Sequence, residues 1–434
     1  MKGKWTVAII LIVALLTLAA VTVYTVIMGV SAAGSRGFHL EINGPSAFSA
    51  ESDEQQNMSV GETPGLVVNN SSGNITIIAG AAGEINISAH KKAYAGSQKT
   101  ADAKLQALDI QITQQGDTVT VRVPQQPAVI CIGFCRTDTV DFTITVPAGT
   151  KVEARTASGN VSSSGTGGEA HLFSDYGDIQ AKQLDGMLEA STSSGSVEVQ
   201  NVRGGTVELH SDYGNVTLSL ADAEQISVTT QSGELRLTNV TASGDMTLND
   251  SYGNITFKSG GAATLTVDAS SGAIKLSDLT VSTITAHSDY GTVQVTGVKA
   301  QSYDLSSSSG AVTADGVQGR LKVQDDYGDI IVRNAEVVTL DLNTSSGKVE
   351  FQGTLGTGPH TLHSSYGDIL LVIPANTTMA FDLQTDYGKI SSAIPVSITG
   401  EINKDHWVGT TNGGGNRLTA STDSGNIQID ILNP

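Results

Sequence analysis

The sequence predicts an all-β fold: a parallel β-solenoid of rungs about 19 residues long, with an N-terminal transmembrane helix and a small capping region. Three observations carry this reading. First, glycines recur at Gly159, Gly177, Gly195, Gly214, Gly233, Gly253, Gly272, Gly291, Gly310, Gly328, Gly347, Gly367 and Gly388, spaced 18 to 21 residues apart. Second, residues around each glycine alternate with a period of two, as in Val207, Leu209 and Ser211 before Gly214 and Val216 and Leu218 after it. Third, with 48 glycines, 15 % charged residues and a wealth of Ser, Thr, Val and Ile, the composition favours strands and turns.

The chain opens with Met1–Lys4, a basic start that the positive-inside rule places in the cytoplasm. The apolar run 5–30 is long enough to span a bilayer and longer than most secretory h-regions. It reads as a signal-anchor. The competing reading is a cleaved signal, since "VSAA" supplies small residues after the run. Either way the rest of the chain lies outside the cytoplasm. Residues 31–65 read as a linker, 66–150 as an N-terminal cap region, and 151–434 as solenoid with a C-terminal cap. In the cap region "SQKTADAKLQALDI" reads as a short amphipathic helix, N-capped by Ser97, with Ala101, Leu105 and Leu108 inward. Cys131 and Cys135 sit in a turn-like insertion. Outside the cell, two thiols at that spacing suit a small disulfide loop better than a metal site, which needs further ligands.

The rungs are of two kinds. One carries Ser-Gly ("SSGSV", "QSGEL", "SSGAI"). The other carries Tyr-Gly, with Tyr176, Tyr213, Tyr252, Tyr290, Tyr327, Tyr366 and Tyr387 among the chain's 10 tyrosines. Carrying the period of two on to the residue before the glycine, as from Ser211 to Tyr213, puts these tyrosines inside, as structural corner fillers alternating with serines. On that reading Tyr213→Ala would destabilise its section by about 3 to 5 kcal/mol. Two residues before the tyrosine runs an inward polar column: Ser174, Thr192, Ser211, Thr230, Asp250, Ala269, Ser288, Ser307, Asp325, Thr344 and Ser364. Buried hydroxyls must be bonded, so the column predicts a rung-to-rung ladder, or bonds to the tyrosine hydroxyl. The rival geometry, a meander of two-residue hairpins at the glycines, would leave one face of the sheet uncovered. Twelve intervals from Gly159 to Gly388 at about 4.8 Å predict a rod section of roughly 58 Å.

The chemistry the sequence offers is sparse. A net charge of −19 argues against nucleic acid and anionic membrane surfaces as partners. A polysaccharide-active enzyme needs unlike residues converging on one rung, whereas here the acidic residues repeat as the scaffold repeats. His210, His287 and His363 share one outward phase but lie about 19 Å apart in steps of four rungs, too far to share a metal. Asp175 with Asp178, and Asp326 with Asp329, could offer oxygen ligands to calcium, yet other rungs replace them with Ser365, Thr292 or Lys389. The expectation is therefore a chain with no catalytic, cofactor or metal site.

The stretch "TITVPAGTKVEARTASGNV", the run of Ser-Gly and Tyr-Gly units, and "NGGG" leading into "SGNIQI" together resemble the bacterial putative adhesin family, domains of unknown function with β-strand repeats. The resemblance covers roughly residues 66–432 and implies an extracytoplasmic β-solenoid, often membrane-anchored, with no catalytic residues to carry over. The Cys131–Cys135 insertion departs from that pattern. The expected function is non-catalytic binding or structural support at the cell envelope, with envelope glycans or cell-surface proteins as partners and the membrane held through the N-terminal helix. The alternative is an accessory or sensory module of an envelope-stress system, working through membrane partners.

Overall fold

The computed structural model describes residues 47–124, 136–399 and 403–433. The expected span at 5–30 and the Cys131–Cys135 pair lie outside the described residues. Among the described residues no helix is long and apolar enough to cross a membrane.

One rung shows how the sequence makes the fold. The strand Thr206–Ser211 leads to the Gly214 corner, Val216–Ala223 follows, and Gln225–Thr230 begins the next turn. Thr206–Ser211 pairs in parallel with Leu188–Thr192 on one side and Gln225–Thr230 on the other. Val216–Ala223 pairs in parallel with Val197–Arg203 and Leu235–Ala242. Val207, Leu209, Val216, Leu218, Ala221, Ile226 and Val228 point inward and are buried. Equivalent residues of neighbouring rungs stack in register, Leu188 on Val207 on Ile226, so each column excludes water continuously. Each such aliphatic side chain contributes about 1.5 to 3 kcal/mol on burial. The parallel pairing excludes the hairpin meander.

Two of the corners are set by backbone geometry. At the first, successive glycines pack so closely that a Cβ on Gly214 would collide with the Gly195 carbonyl, and one on Gly233 with that of Gly214. At the second, the chain bends through a left-handed residue: Gln183, Asn201, Leu220, Asn239, Ser259 and Asp278, all at φ between 54° and 60°. Asn and Asp tolerate that conformation; Leu220 adopts it under strain.

The ends of the stack are threaded, which glycine spacing along the chain does not reveal. Gly159 stacks on Gly73, while the strand Ile75–Gly80 also pairs with Thr139–Pro147 on its other side. The first regular rung therefore lies one layer inside the N-terminal end. At the other end, Gly425 stacks on Gly367 and Gly388 stacks on Gly425. The strand Asn416–Thr422 is inserted between His360–Ser364 and Met379–Thr385. The last rung of the sequence is thus not the last rung of the stack, and both terminal rungs are held from two sides. The outermost layers are antiparallel. Val396–Ile398 and Met379–Thr385 flank His406–Thr411, and Phe48–Ser59 pairs with Glu84–Ala95.

That last pairing corrects the expected linker. Phe48–Ser59 is a strand of 12 residues, pinned by acidic side chains facing basic ones: Glu51 with Lys92, Asp53 with His90, and Glu54 with Lys91. The expected helix forms as Gln98–Ala107, with the Ser97 side chain accepting from the Thr100 N–H and Ala101 fully buried.

Candidate binding face

The inward polar column is the ladder that the sequence predicts. Ser211 Oγ donates to the Gly195 carbonyl of the preceding rung at 2.8 Å and accepts the Gly214 N–H of its own corner at 2.9 Å. Ser288 does the same between Gly272 and Gly291, Ser307 between Gly291 and Gly310, and Thr344 between Gly328 and Gly347. The threaded rungs keep the rule: Thr422 donates to Gly367 and Thr385 to Gly425. One hydroxyl thus closes the corner and ties it to its neighbour. The ladder runs to glycine backbone, not to tyrosine.

The tyrosines are the main correction to the sequence reading. Tyr176, Tyr213, Tyr252, Tyr290, Tyr327, Tyr366 and Tyr387 are 68–86 % exposed, so they are not corner fillers. Ser211 and Val216 both face inward with four residues between them. The alternation ends at Ser211 and restarts at Val216, leaving Asp212, Tyr213, Gly214 and Asn215 to round the corner with the tyrosine on the outside. A period-two count carried from Ser211 into the corner puts Tyr213 on the wrong side. Among the described residues the one tyrosine that is a large buried side chain is Tyr303, which fills the Leu188–Val207–Ile226 column and donates its hydroxyl to the Val298 carbonyl.

Seen from outside, the corner is a ridge. Tyrosine and serine alternate along it rung by rung, with Ser194, Ser232, Ser271, Ser309 and Ser346 exposed between the rings. In sequence the alternation breaks at the end, where Tyr366 and Tyr387 follow each other. In space the threaded rung places Ser424 between them and restores it. The ridge is tied rung to rung at the backbone: Tyr213 N–H donates to the Ser193 carbonyl, Ser232 N–H to that of Asp212, and Tyr252 N–H to that of Gln231. Alternate rungs set the tyrosines about 9.6 Å apart.

The residues flanking the ridge are tied to one another. His210 and His287 bond Asp212 and Asp289 at 3.1 Å, and His287 and His363 also reach Ser306 and Ser421 on neighbouring rungs. Asp178 and Asp329, considered for calcium, accept backbone N–H groups of the next rung from Ser196 and Lys348. Asn160, Asn215 and Asn254 do the same for Asp178, Glu234 and Ala273. This explains why Asn or Asp so often follows Tyr-Gly, a signal present in the sequence but unread. Among the described residues no group of three or more His, Cys, Asp or Glu could hold a metal.

Asp250 and Asp325 are the exceptions inside the ladder. Asp325 Oδ1 accepts from the N–H groups of Tyr327 and Gly328 at 3.1 and 2.7 Å, and Asp250 Oδ1 likewise from Tyr252 and Gly253. The second oxygen of each is buried without a partner. It lies, with the carbonyl of the preceding glycine, against the corner glycine, where other rungs bring a hydroxyl proton. Burial pushes the Asp325 carboxyl up to about 6 and raises that of Asp250. A protonated carboxyl reproduces the missing donor.

The model of the Toastrack DUF4097 family matches residues 64–277 and again 255–430. The two matches meet inside one uninterrupted stack, since Ile255–Ala269 pairs in parallel with rungs on both sides. Among solved structures, the chain is similar to a putative cell adhesion protein from Clostridium sporogenes at 8 % identity, covering 88 % of this chain and 100 % of the other with a TM-score of 0.15. It is also similar to a putative adhesin from Bacteroides fragilis at 13 % identity, covering 70 % and 97 % with a TM-score of 0.20. The curated proteins contain no match to the chain.

Proposed function

The chain belongs to the Toastrack DUF4097 family, and from that premise we propose that it is a non-catalytic, adhesin-like contact protein of the cell envelope. The apolar run 5–30 anchors it in the membrane behind the basic Lys2 and Lys4, and the solenoid stands outside the cytoplasm. The tyrosine ridge is the contact face. The observation that carries this reading is the exposure of seven tyrosines on stacked corners, at every second rung, whose packing does not use their rings. Large aromatic side chains left in solvent at regular intervals are a feature of recognition surfaces.

The test is binding of the purified full-length chain to whole cells, glycans and matrix proteins, against a variant with Tyr252, Tyr290 and Tyr327 replaced by alanine. Contact through the ridge predicts that the variant folds normally and loses binding. Equal binding by both proteins would refute it. Placement is tested separately. Protease added to intact cells should degrade the region after Val30 while the hydrophobic N-terminus is retained, and a mature N-terminus at Ala33 would show cleavage instead.

A further inference from the structure

We infer that the ridge binds a linear, uncharged, β-linked polysaccharide laid along the solenoid axis, with tyrosines stacking on successive disaccharide units. This rests on the ridge being a contact face and goes on to name its occupant.

Three features of the ridge select that class. The first is period. Tyrosines on alternate rungs recur at about 9.6 Å, close to the length of a β-linked disaccharide. A peptide in β-strand conformation presents the same face every two residues, at about 6.6 Å, and falls out of step within two tyrosines. The second is chemistry. A pyranose offers a flat C–H face to an aromatic ring and hydroxyls at its rim. The ridge offers phenol faces separated by exposed serines and bordered by Asp175, Asp212, Asp289, Asp326 and Asp386. Carboxylates and hydroxyls are acceptors and donors for sugar hydroxyls. They do not complement the apolar stripe of an amphipathic helix. The third is charge. A chain of net charge −19, with acidic residues along the ridge itself, repels uronic-acid and phosphate polymers.

The threaded C-terminal rung supports the same inference independently of composition. Without the insertion of Asn416–Thr422, Tyr366 and Tyr387 would occupy adjacent rungs and break the period. With Ser424 between them, the spacing holds to the end of the row. The regularity therefore belongs to the folded surface and not merely to a duplicated sequence unit.

The experiment uses the full-length chain and named probes: insoluble chitin and cellulose, with alginate as an anionic polymer, poly-lysine as a cationic one, and soluble chitin oligomers from tetra- to octasaccharide. The expected result is retention on chitin or cellulose that survives high salt. Affinity for the oligomers should rise by about two- to tenfold for each added disaccharide, as one more ring stacks. Replacing Tyr252, Tyr290 and Tyr327 by alanine should weaken retention at least about tenfold with an unchanged circular dichroism spectrum, and replacing them by phenylalanine should largely preserve it. Tyrosine-dependent binding to protein matrix, to poly-lysine or to a second copy of the chain, without binding to the neutral polymers, would overturn the polysaccharide while leaving the ridge a contact face. Retention on chitin that is indifferent to the tyrosines would overturn the proposal. Loss of every tyrosine-dependent interaction would remove both.

Discussion

Replacing Asp325 by threonine should stabilise the protein at neutral and alkaline pH and leave it almost unchanged in acid. In eleven of the described rungs a Ser or Thr hydroxyl donates to the preceding glycine carbonyl. In the Asp325 rung the corresponding Oδ2 is buried and unpartnered. Burial, reinforced by neighbouring Asp326, outweighs the N–H bonds from Gly328 and Tyr327 and moves the carboxyl from 3.8 to about 6. Because the folded value lies above the unfolded one, the folded state holds the extra proton between them. Stability is then greatest below the unfolded value and falls as pH rises through about 6. At about 1.4 kcal/mol per pKa unit, the shift corresponds to roughly 3 kcal/mol between the acid and alkaline limits. Asp325→Thr removes this dependence and supplies the donor, so the variant should exceed the wild type by about 2 to 3 kcal/mol near pH 8 and by little near pH 4. Each rung contacts mainly its neighbours, so the difference should be local. Hydrogen exchange at the amides of Gly328 and Gly347, measured in both proteins at both pH values, reads it directly. A variant equally or less protected than wild type at pH 8, or a difference that does not change with pH, would refute the reasoning.

Four further outcomes follow from the same geometry. Asp250→Thr should behave like Asp325→Thr in direction, seen as slower exchange of Gly253 at alkaline pH. Ala269→Ser should complete the ladder between Gly253 and Gly272 and raise stability by about 1 kcal/mol, measured by local exchange protection. Leu220→Asn should relieve the left-handed strain at φ 54° on an exposed position and gain roughly 1 kcal/mol, read in the same way. Tyr213→Ala should change stability by less than about 0.5 kcal/mol, as exposed substitutions do, and a loss of several kcal/mol would restore the inward placement.

What the sequence disclosed and what it hid have a common cause. Glycine spacing disclosed the rungs because close stacking of one corner on the next leaves no room for a Cβ at Gly195, Gly214 or Gly233. Strand alternation disclosed the inward column, since Val207, Leu209 and Ser211 lie on one straight segment. The tyrosines lay beyond the reach of that rule because four corner residues separate Ser211 from Val216, and alternation carries no information through a turn. Threading at the two ends was hidden because spacing along the chain is blind to order in space. The one visible clue was the missing Ser-Gly unit between Tyr366 and Tyr387. Phe48–Ser59 reads as linker because only Ala50 of its residues is buried, as befits an outer strand whose one pairing is the antiparallel ladder with Glu84–Ala95. The ridge residues themselves were legible; their direction, and hence their role, was not.

The outward ridge is the claim on which the functional account stands, and tyrosine-selective labelling of the native full-length chain, resolved by peptide mass spectrometry, tests it most directly. The account predicts rapid modification of Tyr176, Tyr213, Tyr252, Tyr290, Tyr327, Tyr366 and Tyr387 while buried Tyr303 stays unmodified until the protein unfolds. Ridge tyrosines as slow to react as Tyr303 would contradict it.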